Sequence, residues 1–220
     1  MKEVNPETFT TDISDMNKRK AFAMLKDFVL GDECYQGKIL AVYGLKRTGK
    51  TTLLKQLLCD IDAYTASCAF LEMQDSDTMK MLERRIEEEQ AKGKMVIFIN
   101  EITKVSDFIN NSSSLADCFA KAGVRIIISG KDSLSVAFAE DYELYDRVRK
   151  VNTTYISFAE YHTLFPLENI YDYIRYGGLF YKNEPEKFTI GYENILSYLH
   201  DAVTMNIANS LKNNADIDER

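Results

Sequence analysis

The stretch GLKRTGKT, Gly44 to Thr51, fits the pattern G-x-x-x-x-G-K-[ST], and its flanking residues indicate how the chain folds. Before it, Ile39 to Tyr43 (ILAVY) is a continuous apolar run, which predicts a strand buried on both faces of a parallel sheet. After it, Lys50 to Cys59 (KTTLLKQLLC) has apolar residues at helical spacing. The sequence therefore predicts a strand, a glycine-bounded loop and a helix in succession.

This loop has the composition of a phosphate-binding P-loop. Two glycines let successive backbone N–H groups turn toward a β-phosphate, and the start of the helix adds the positive end of its dipole. Lys50 is predicted to bridge β- and γ-phosphate oxygens, Thr51 to ligate Mg²⁺, and Thr52 to contact the α-phosphate. The predicted cofactor-binding residues of the loop are Gly44, Leu45, Lys46, Arg47, Thr48, Gly49, Lys50, Thr51 and Thr52.

Strands and helices alternate through most of the chain. Further strands are predicted at 68–73, 95–99 and 124–128, and further helices at 16–30, 77–92, 115–122 and 133–140. Beyond Arg147 the pattern is mainly helical, with a last periodic helix at 194–211 and a tyrosine-rich stretch from Tyr155 to Tyr198. That stretch is either a partner surface or the packing of amphipathic helices. The alternation predicts an α/β fold in which helices cover both faces of a parallel sheet, as in a three-layer sandwich.

A second polar site is expected at the end of another buried strand, to hold the Mg²⁺ shell and orient the attacking water. The apolar run at 95–99 is followed by Asn100 and Glu101, where two acids are the usual pattern. Asn100, a candidate metal ligand, can accept a hydrogen bond from metal-bound water but lacks a carboxylate charge. Glu101 is a candidate base or water-positioning residue. The alternative is that both are ordinary strand-end turn residues.

Ser129 comes directly after the strand predicted at 124–128, where a polar residue can sense the γ-phosphate. Lys131 and Asp132 follow closely. A plain turn at the end of the strand explains the sequence from Ser129 to Asp132 equally well.

Composition and charge narrow the functions that need considering. The 220 residues include 45% apolar and 28% charged side chains, which excludes disordered, collagen-like and small disulfide-stapled classes. A net charge of −7 argues against general binding of duplex DNA, so nucleic acid is not an expected partner. The start lacks the features of a secretory signal, and no apolar run is long enough for a membrane span, so we expect a cytoplasmic protein. The cysteines are read as reduced core residues, namely Cys34, Cys59, Cys68 and Cys118.

Several motifs together resemble a known family. GLKRTGKTTLL, VIFINEITKVSDFI, IIISGKDSL, ELYDRV, ISFAEYHTLF and YGGLF occur in the order seen in bacterial and archaeal AAA+-like P-loop ATPases related to the STAND group, and the resemblance covers about residues 16–212. It implies binding of ATP with Mg²⁺ in a P-loop NTPase sheet of strand order 5-1-4-3-2. It also implies nucleotide and metal ligation by Lys50 and Thr51, a catalytic role for Glu101 and a sensor role for Ser129.

The resemblance also implies a role for Arg147. This residue falls where the family has an arginine that could reach a phosphate, and we count it with Lys50 and Glu101 as a candidate catalytic residue. The alternative is a surface salt bridge with Asp146 or Glu143.

Residues 1–157 are read as the ATPase core with an N-terminal helix, and residues 158–220 as a helical extension that serves as a lid or connector. Family members generally continue into a winged-helix or nuclease-like region, so the resemblance implies a chain truncated relative to the family. Two functions follow: an ATPase that couples nucleotide binding and hydrolysis to conformational change, or a nucleotide-dependent switch in which Asn100 leaves hydrolysis slow.

The sequence also bears on a third possible function, on the preferred base and on the partners. A nucleotide kinase is disfavoured because no arginine-rich lid cluster is found, and the lack of an N-K-x-D sequence favours adenine over guanine. The implied partners are ATP and either a protein partner or further copies of the chain.

Overall fold

The computed structural model describes residues 1–3, 13, 16–31, 35–65, 67–131, 139, 143–165, 170–176, 178–179 and 204. The described strands are β1 (Lys2–Glu3), β2 (Ile39–Tyr43), β3 (Cys68–Glu72), β4 (Val96–Asn100), β5 (Arg125–Gly130) and β6 (Val148–Asn152). The described α-helices are α1 (Phe22–Leu30), α2 (Lys50–Thr65), α3 (Met79–Ala91), α4 (Phe108–Asn111), α5 (Phe158–Leu164) and α6 (Ile170–Tyr176). The segments Ile102–Lys104 and Leu115–Ala120 form a 3₁₀ turn and a π-helix, respectively.

One sheet organises these elements, with the strand order β1-β3-β4-β5-β2-β6. Strands β2 to β6 are mutually parallel, and the two-residue β1 pairs antiparallel with β3. Counted from β2 as the first parallel strand, the order is 5-1-4-3-2, so the implied topology is confirmed. The loop at the end of β2 therefore lies between the carboxyl ends of β5 and β6, at a shared edge of the sheet.

Apolar side chains leave the strands alternately toward two buried layers, as the two-residue period of a strand requires. One layer packs against α3 and the π-helix and includes Ile39, Ala41, Leu71, Ile97, Ile99, Ile126 and Ile128. The other packs against α1 and α2 and includes Leu40, Val42, Phe70, Phe98, Ile127 and Val151. Helices cover both faces of the sheet, which confirms the three-layer α/β sandwich.

Strand β6 was not located by the sequence pattern, which reads as mainly helical from this point. Its residues are VRKVN, and Val151 is the buried member. An edge strand has one neighbour and carries polar side chains, so it lacks the apolar run that marks β2 and β4. Backbone pairing with β2, from Ile39–Val148 to Tyr43–Asn152, defines it instead.

The predicted first helix begins too early. In the structure it starts at Phe22 and not at Met16, and residues 17–19 are non-helical. In that segment Asn17 Nδ2 donates to Thr163 O (2.8 Å), and the side chain of Arg19 binds α5 and the loop after β2. The predicted helices at 133–140 and 194–211 lie almost entirely outside the described residues.

A small cluster supports α5 and α6 beside the main core. Ile156, Tyr161 and Phe165 are buried there, and the Tyr161 ring lies 4.6 Å from Phe165 and 5.5 Å from Tyr173 between centroids. Part of the tyrosine-rich stretch is thus helix packing, whereas Tyr155 is exposed.

Among the described residues, no helix is long and apolar enough to cross a membrane. Of the cysteines, Cys68 is buried and Cys59 half-buried, but Cys118 is exposed, which corrects its assignment to the core. Cys118 lies on the outer side of the π-helix, whose inner side carries Leu115, Ala116, Phe119 and Ala120. Cys34 lies outside the described residues.

Candidate functional site

The loop between β2 and α2 needs glycine at two positions. Gly44 has φ 137° and Gly49 has φ 86°, which L side chains rarely adopt. A Cβ on Gly44 would lie 2.5 Å from the backbone oxygen of Thr153. The chain after β6 therefore presses directly on the start of the loop.

Thr153 also braces the loop through hydrogen bonds. Its N–H donates to Tyr43 O (2.8 Å), and its hydroxyl shares a 2.7 Å hydrogen bond with that of Thr48. The Thr48 hydroxyl lies 2.8 Å from Leu45 O, to which it can also donate. Within the loop, Gly44, Thr48, Gly49 and Lys50 are buried, Leu45, Lys46, Thr51 and Thr52 are half-buried, and Arg47 is exposed.

Lys50 lies inside this loop at the first residue of α2. Its side chain is 5% exposed, and Nζ donates to the backbone oxygens of Gly44 (2.7 Å) and Leu45 (2.6 Å). Burial lowers the pKa of Lys50 to about 8, while the charge of Glu101 acts to raise it and that of Lys131 to lower it further. A buried ammonium at a helix N-terminus favours an anionic ligand, because a phosphate oxygen can replace the carbonyl acceptors.

The ends of β4 and β5 bring three predicted residues together. Asn100 is 2% exposed, and its Oδ1 accepts hydrogen bonds from Ser129 Oγ (2.7 Å) and Thr51 Oγ1 (3.3 Å). The two strands are adjacent and parallel, so their carboxyl ends meet beside the start of α2. The sequence placed these residues on separate segments, and the sheet order makes them one cluster.

Glu101 follows Asn100 in a left-handed backbone conformation, with φ 63° and ψ 40°. This conformation costs a non-glycine residue on the order of 1–2 kcal/mol, and such strain often occurs at functional sites. The residue is buried, and Glu101 Oε2 lies 2.9 Å from Lys131 Nζ.

Lys131 belongs to the candidate site, although the sequence did not predict a functional role for it. In the sequence Lys131 is simply a basic residue two positions after Ser129. That position does not indicate which carboxylate pairs with its ammonium. In the structure its ammonium pairs with Glu101, and its positive charge also acts to lower the pKa of Lys50. The candidate site thus contains two lysines around the carboxylate of Glu101.

The chemistry of these oxygens bears on the Mg²⁺ that the family implies. Within the part of the chain that the structure describes, no group of three or more His, Cys, Asp and Glu side chains could hold a metal ion. Thr51 Oγ1 and Asn100 Oδ1 are neutral oxygen donors beside the loop. Mg²⁺ bound mainly by phosphates and waters needs few protein ligands, so this pair fits a metal that arrives with a nucleotide.

Arg147 does not lie at this site within its own chain; it lies away from Lys50 and Glu101, so its catalytic role stays a prediction. It precedes β6 at the amino ends of the strands, where its backbone oxygen accepts from Ile39 N. Five residues of β2 separate that edge from the P-loop, about 16 Å at 3.3 Å per residue. Its guanidinium donates to the carboxylate of Asp117 and to Glu143 O (2.6 Å).

The glycine-bounded loop, the buried lysine and the 5-1-4-3-2 sheet together are the features of a P-loop fold of the AAA type. The AAA domain family matches residues 36–162, more than half of the chain, and the protein belongs to that family. No curated protein sequence matches the chain.

Two solved structures are similar to parts of this chain. The structure of C. elegans PCH-2 is 18% identical with a TM-score of 0.38, over 61% of this chain and 39% of that one. The crystal structure of DnaI is 11% identical with a TM-score of 0.43, over 69% of this chain and 92% of that one. The chain therefore matches well under half the length of PCH-2.

Proposed function

We propose that this protein binds ATP together with Mg²⁺ at residues 44–52 and hydrolyses it, and that binding and hydrolysis are coupled to a conformational change. The observation that carries the proposal is the buried Lys50 ammonium, held by loop carbonyls at the start of α2. The next residue, Thr51, donates to Asn100, which also accepts from Ser129. Residues 1–157 form the ATPase core in this proposal, and residues 158–220 form a lid or connector. A relation to the STAND group and a cytoplasmic location belong to the same proposal.

Each side chain has a separate task. Lys50 binds β- and γ-phosphate oxygens, and Thr51 with Asn100 hold the metal shell, in which Mg²⁺ would neutralise phosphate charge. Ser129 fixes the orientation of the Asn100 amide and contacts the γ-phosphate. Glu101 orients the attacking water once its carboxylate leaves Lys131.

A nucleotide-dependent switch is the second candidate, and two observations favour it. Asn100 contributes no charge to the metal shell, and Glu101 is held in an ion pair by Lys131. Both features slow hydrolysis without weakening the hold of the loop on phosphates. In this case bound ATP sets the conformation for a protein partner or for other copies of the chain.

Binding and turnover should be measured separately on the same variants. Fluorescent ATP titration and phosphate release are compared for wild type, Lys50→Ala and Glu101→Gln, with exposed Lys80→Ala on α3 as the control. We expect Lys50→Ala to weaken ATP binding at least fiftyfold, and Glu101→Gln to bind normally while losing turnover. Unchanged affinity in Lys50→Ala would contradict both candidates. Normal binding with background turnover in wild type would favour the switch.

A further inference from the structure

A buried arginine connects the P-loop to helix α5. Arg19 lies in the non-helical segment before α1, outside residues 36–162 that match the family. It is 7% exposed, and its Nε and Nη2 donate to Glu160 Oε1 and Oε2, both at 3.1 Å. Its Nη1 donates to the backbone oxygen of Thr48 at 2.6 Å. One guanidinium thus spans the distance between a helix of the extension and the middle of the P-loop.

The bond to Thr48 orients a peptide group of the loop. In a trans peptide the carbonyl and the following N–H point in opposite directions. Because Arg19 holds the oxygen of Thr48, the N–H of Gly49 points away from Arg19. The loop N–H groups are the donors that a phosphate needs, so their orientation sets the affinity of the site.

The opposite side of the guanidinium holds α5 in place. Glu160 lies in the first turn of α5 and is 8% exposed. Its Oε1 also accepts from the backbone N–H of Lys20 (2.9 Å). Burial raises the pKa of Glu160, but the hydrogen bonds from Arg19 and Lys20 outweigh it, so the net pKa lies below its ordinary value. The carboxylate is therefore ionised at neutral pH and depends on Arg19 for compensation.

Because Arg19 binds both α5 and the P-loop, a movement of either one affects the other. If α5 moves away, Arg19 loses its bidentate acceptor. Its Nη1 still donates to the backbone oxygens of Thr48 (2.6 Å) and Thr154 (3.4 Å), but the plane of the guanidinium is no longer fixed from the other side. If the loop changes around a phosphate, Arg19 carries that change to Glu160. Planar, bidentate pairing makes an arginine suited to this task, since a lysine ammonium cannot serve both sides with the same geometry.

We propose that Arg19 is a positioning residue of the phosphate site, and that the Arg19–Glu160 pair couples binding of nucleotide phosphates to docking of α5 on the core. This inference rests on the proposed nucleotide-binding function and adds a regulatory link to the same site. Coupling between two sites is reciprocal. Nucleotide then stabilises the docked extension, and anything that pulls α5 away weakens nucleotide binding.

The test uses Glu160→Gln, which keeps the shape of the side chain and does not alter a loop residue. ADP affinity is measured by fluorescence titration, and amide hydrogen exchange of residues 158–164 is measured with and without saturating ADP. Glu87→Gln, on the exposed side of α3, is the matched control. In wild type we expect ADP to slow exchange in α5 at least fivefold. In Glu160→Gln we expect at least fivefold weaker ADP binding and no ADP-dependent protection.

Arg19→Lys provides a second, independent variant if Glu160→Gln fails to fold. It keeps the charge beside Glu160, and we expect it to weaken ADP binding at least threefold. The double variant should be no weaker than the worse single one, because both act through one link. ADP affinity within twofold of wild type, with unchanged protection of α5, would overturn the coupling while leaving the proposed function intact. Absence of ADP binding by wild type would overturn both.

Discussion

The ammonium of Lys131 lies 2.9 Å from Oε2 of Glu101. Glu101 directly follows β4 and Lys131 directly follows β5, and these two strands are neighbours in the sheet. The carboxylate proposed to orient water is thus already paired with a cation, on a residue whose backbone is left-handed. Such a pair holds Glu101 in a defined place, and in the proposed function the carboxylate leaves it to orient the attacking water.

Lys131→Gln is expected to raise ATP turnover several-fold, because Glu101 no longer has to leave an ion pair. The same change removes a positive charge near Lys50, so the KM for ATP should rise. Steady-state phosphate release gives both constants, with Lys80→Gln as a control for loss of a lysine elsewhere. A lower kcat in Lys131→Gln would show that Lys131 assists hydrolysis directly.

Asn100→Asp is expected to increase turnover about tenfold or more and to lower the Mg²⁺ concentration needed for half-maximal rate. Aspartate has nearly the same shape as asparagine and can still accept from Ser129 and Thr51, so only the charge changes. Turnover is followed during a Mg²⁺ titration. Asn110→Asp places the same charge on the exposed side of α4 and should have no effect. Equal responses of the two variants would argue against a metal role for Asn100.

The depressed pKa of Lys50 predicts a pH-dependent stability. In the unfolded chain Lys50 keeps its proton until about pH 10.5, whereas in the folded chain it loses the proton near pH 8. Between these values the unfolded state binds more protons, so this residue makes the free energy of unfolding rise with pH. The free energy of unfolding in urea should therefore rise by about 2 kcal/mol more in wild type than in Lys50→Met between pH 8 and pH 10.

Subtracting the Lys50→Met curve removes the contribution of other titrating groups. A flat difference across that range would contradict the burial of a charged Lys50. Nucleotide affinity of wild type should fall over the same range, because the ammonium that binds phosphate is lost.

Gly44→Ala and Gly93→Ala form a matched pair at positive φ. A Cβ at Gly93 meets nothing within 4 Å, so only backbone strain of about 1 kcal/mol is expected. At Gly44 the Cβ collides with Thr153 O, and we expect a loss of about 3 kcal/mol with loss of ATP binding. Chemical unfolding and ATP titration check both. Similar losses in the two variants would mean that Thr153 can move aside.

Arg147→Ala is expected to leave the ATP affinity of the dilute protein within twofold of wild type, because the residue lies at the opposite edge of the sheet. Loss of a half-exposed ion pair with Asp117 should change stability little. Weaker ATP binding at low protein concentration would contradict this placement. If wild-type turnover rises with protein concentration and Arg147→Ala removes that rise, Arg147 acts on a neighbouring copy.

Much of the phosphate site was predictable from local sequence. The glycine spacing around residues 44–49 dictates a tight turn, and the apolar runs of β2 and β4 mark strands buried on both faces. Edge strand β6 and the start of α1 were not predictable in this way. Their conformation depends on pairing with β2 and on the side-chain bonds of Arg19, which involve residues far along the chain.

By itself the sequence determined the P-loop, the parallel α/β class and the identities of Lys50, Asn100 and Glu101 as site candidates, because these depend on residue types at short, fixed spacings. Tertiary structure decided which distant residues meet. Sheet order brings Ser129 to Asn100 and Lys131 to Glu101, and strand direction places Arg147 at the far edge. Burial then makes the Arg19–Glu160 pair a link between loop and extension, since only a desolvated ion pair depends so strongly on both partners.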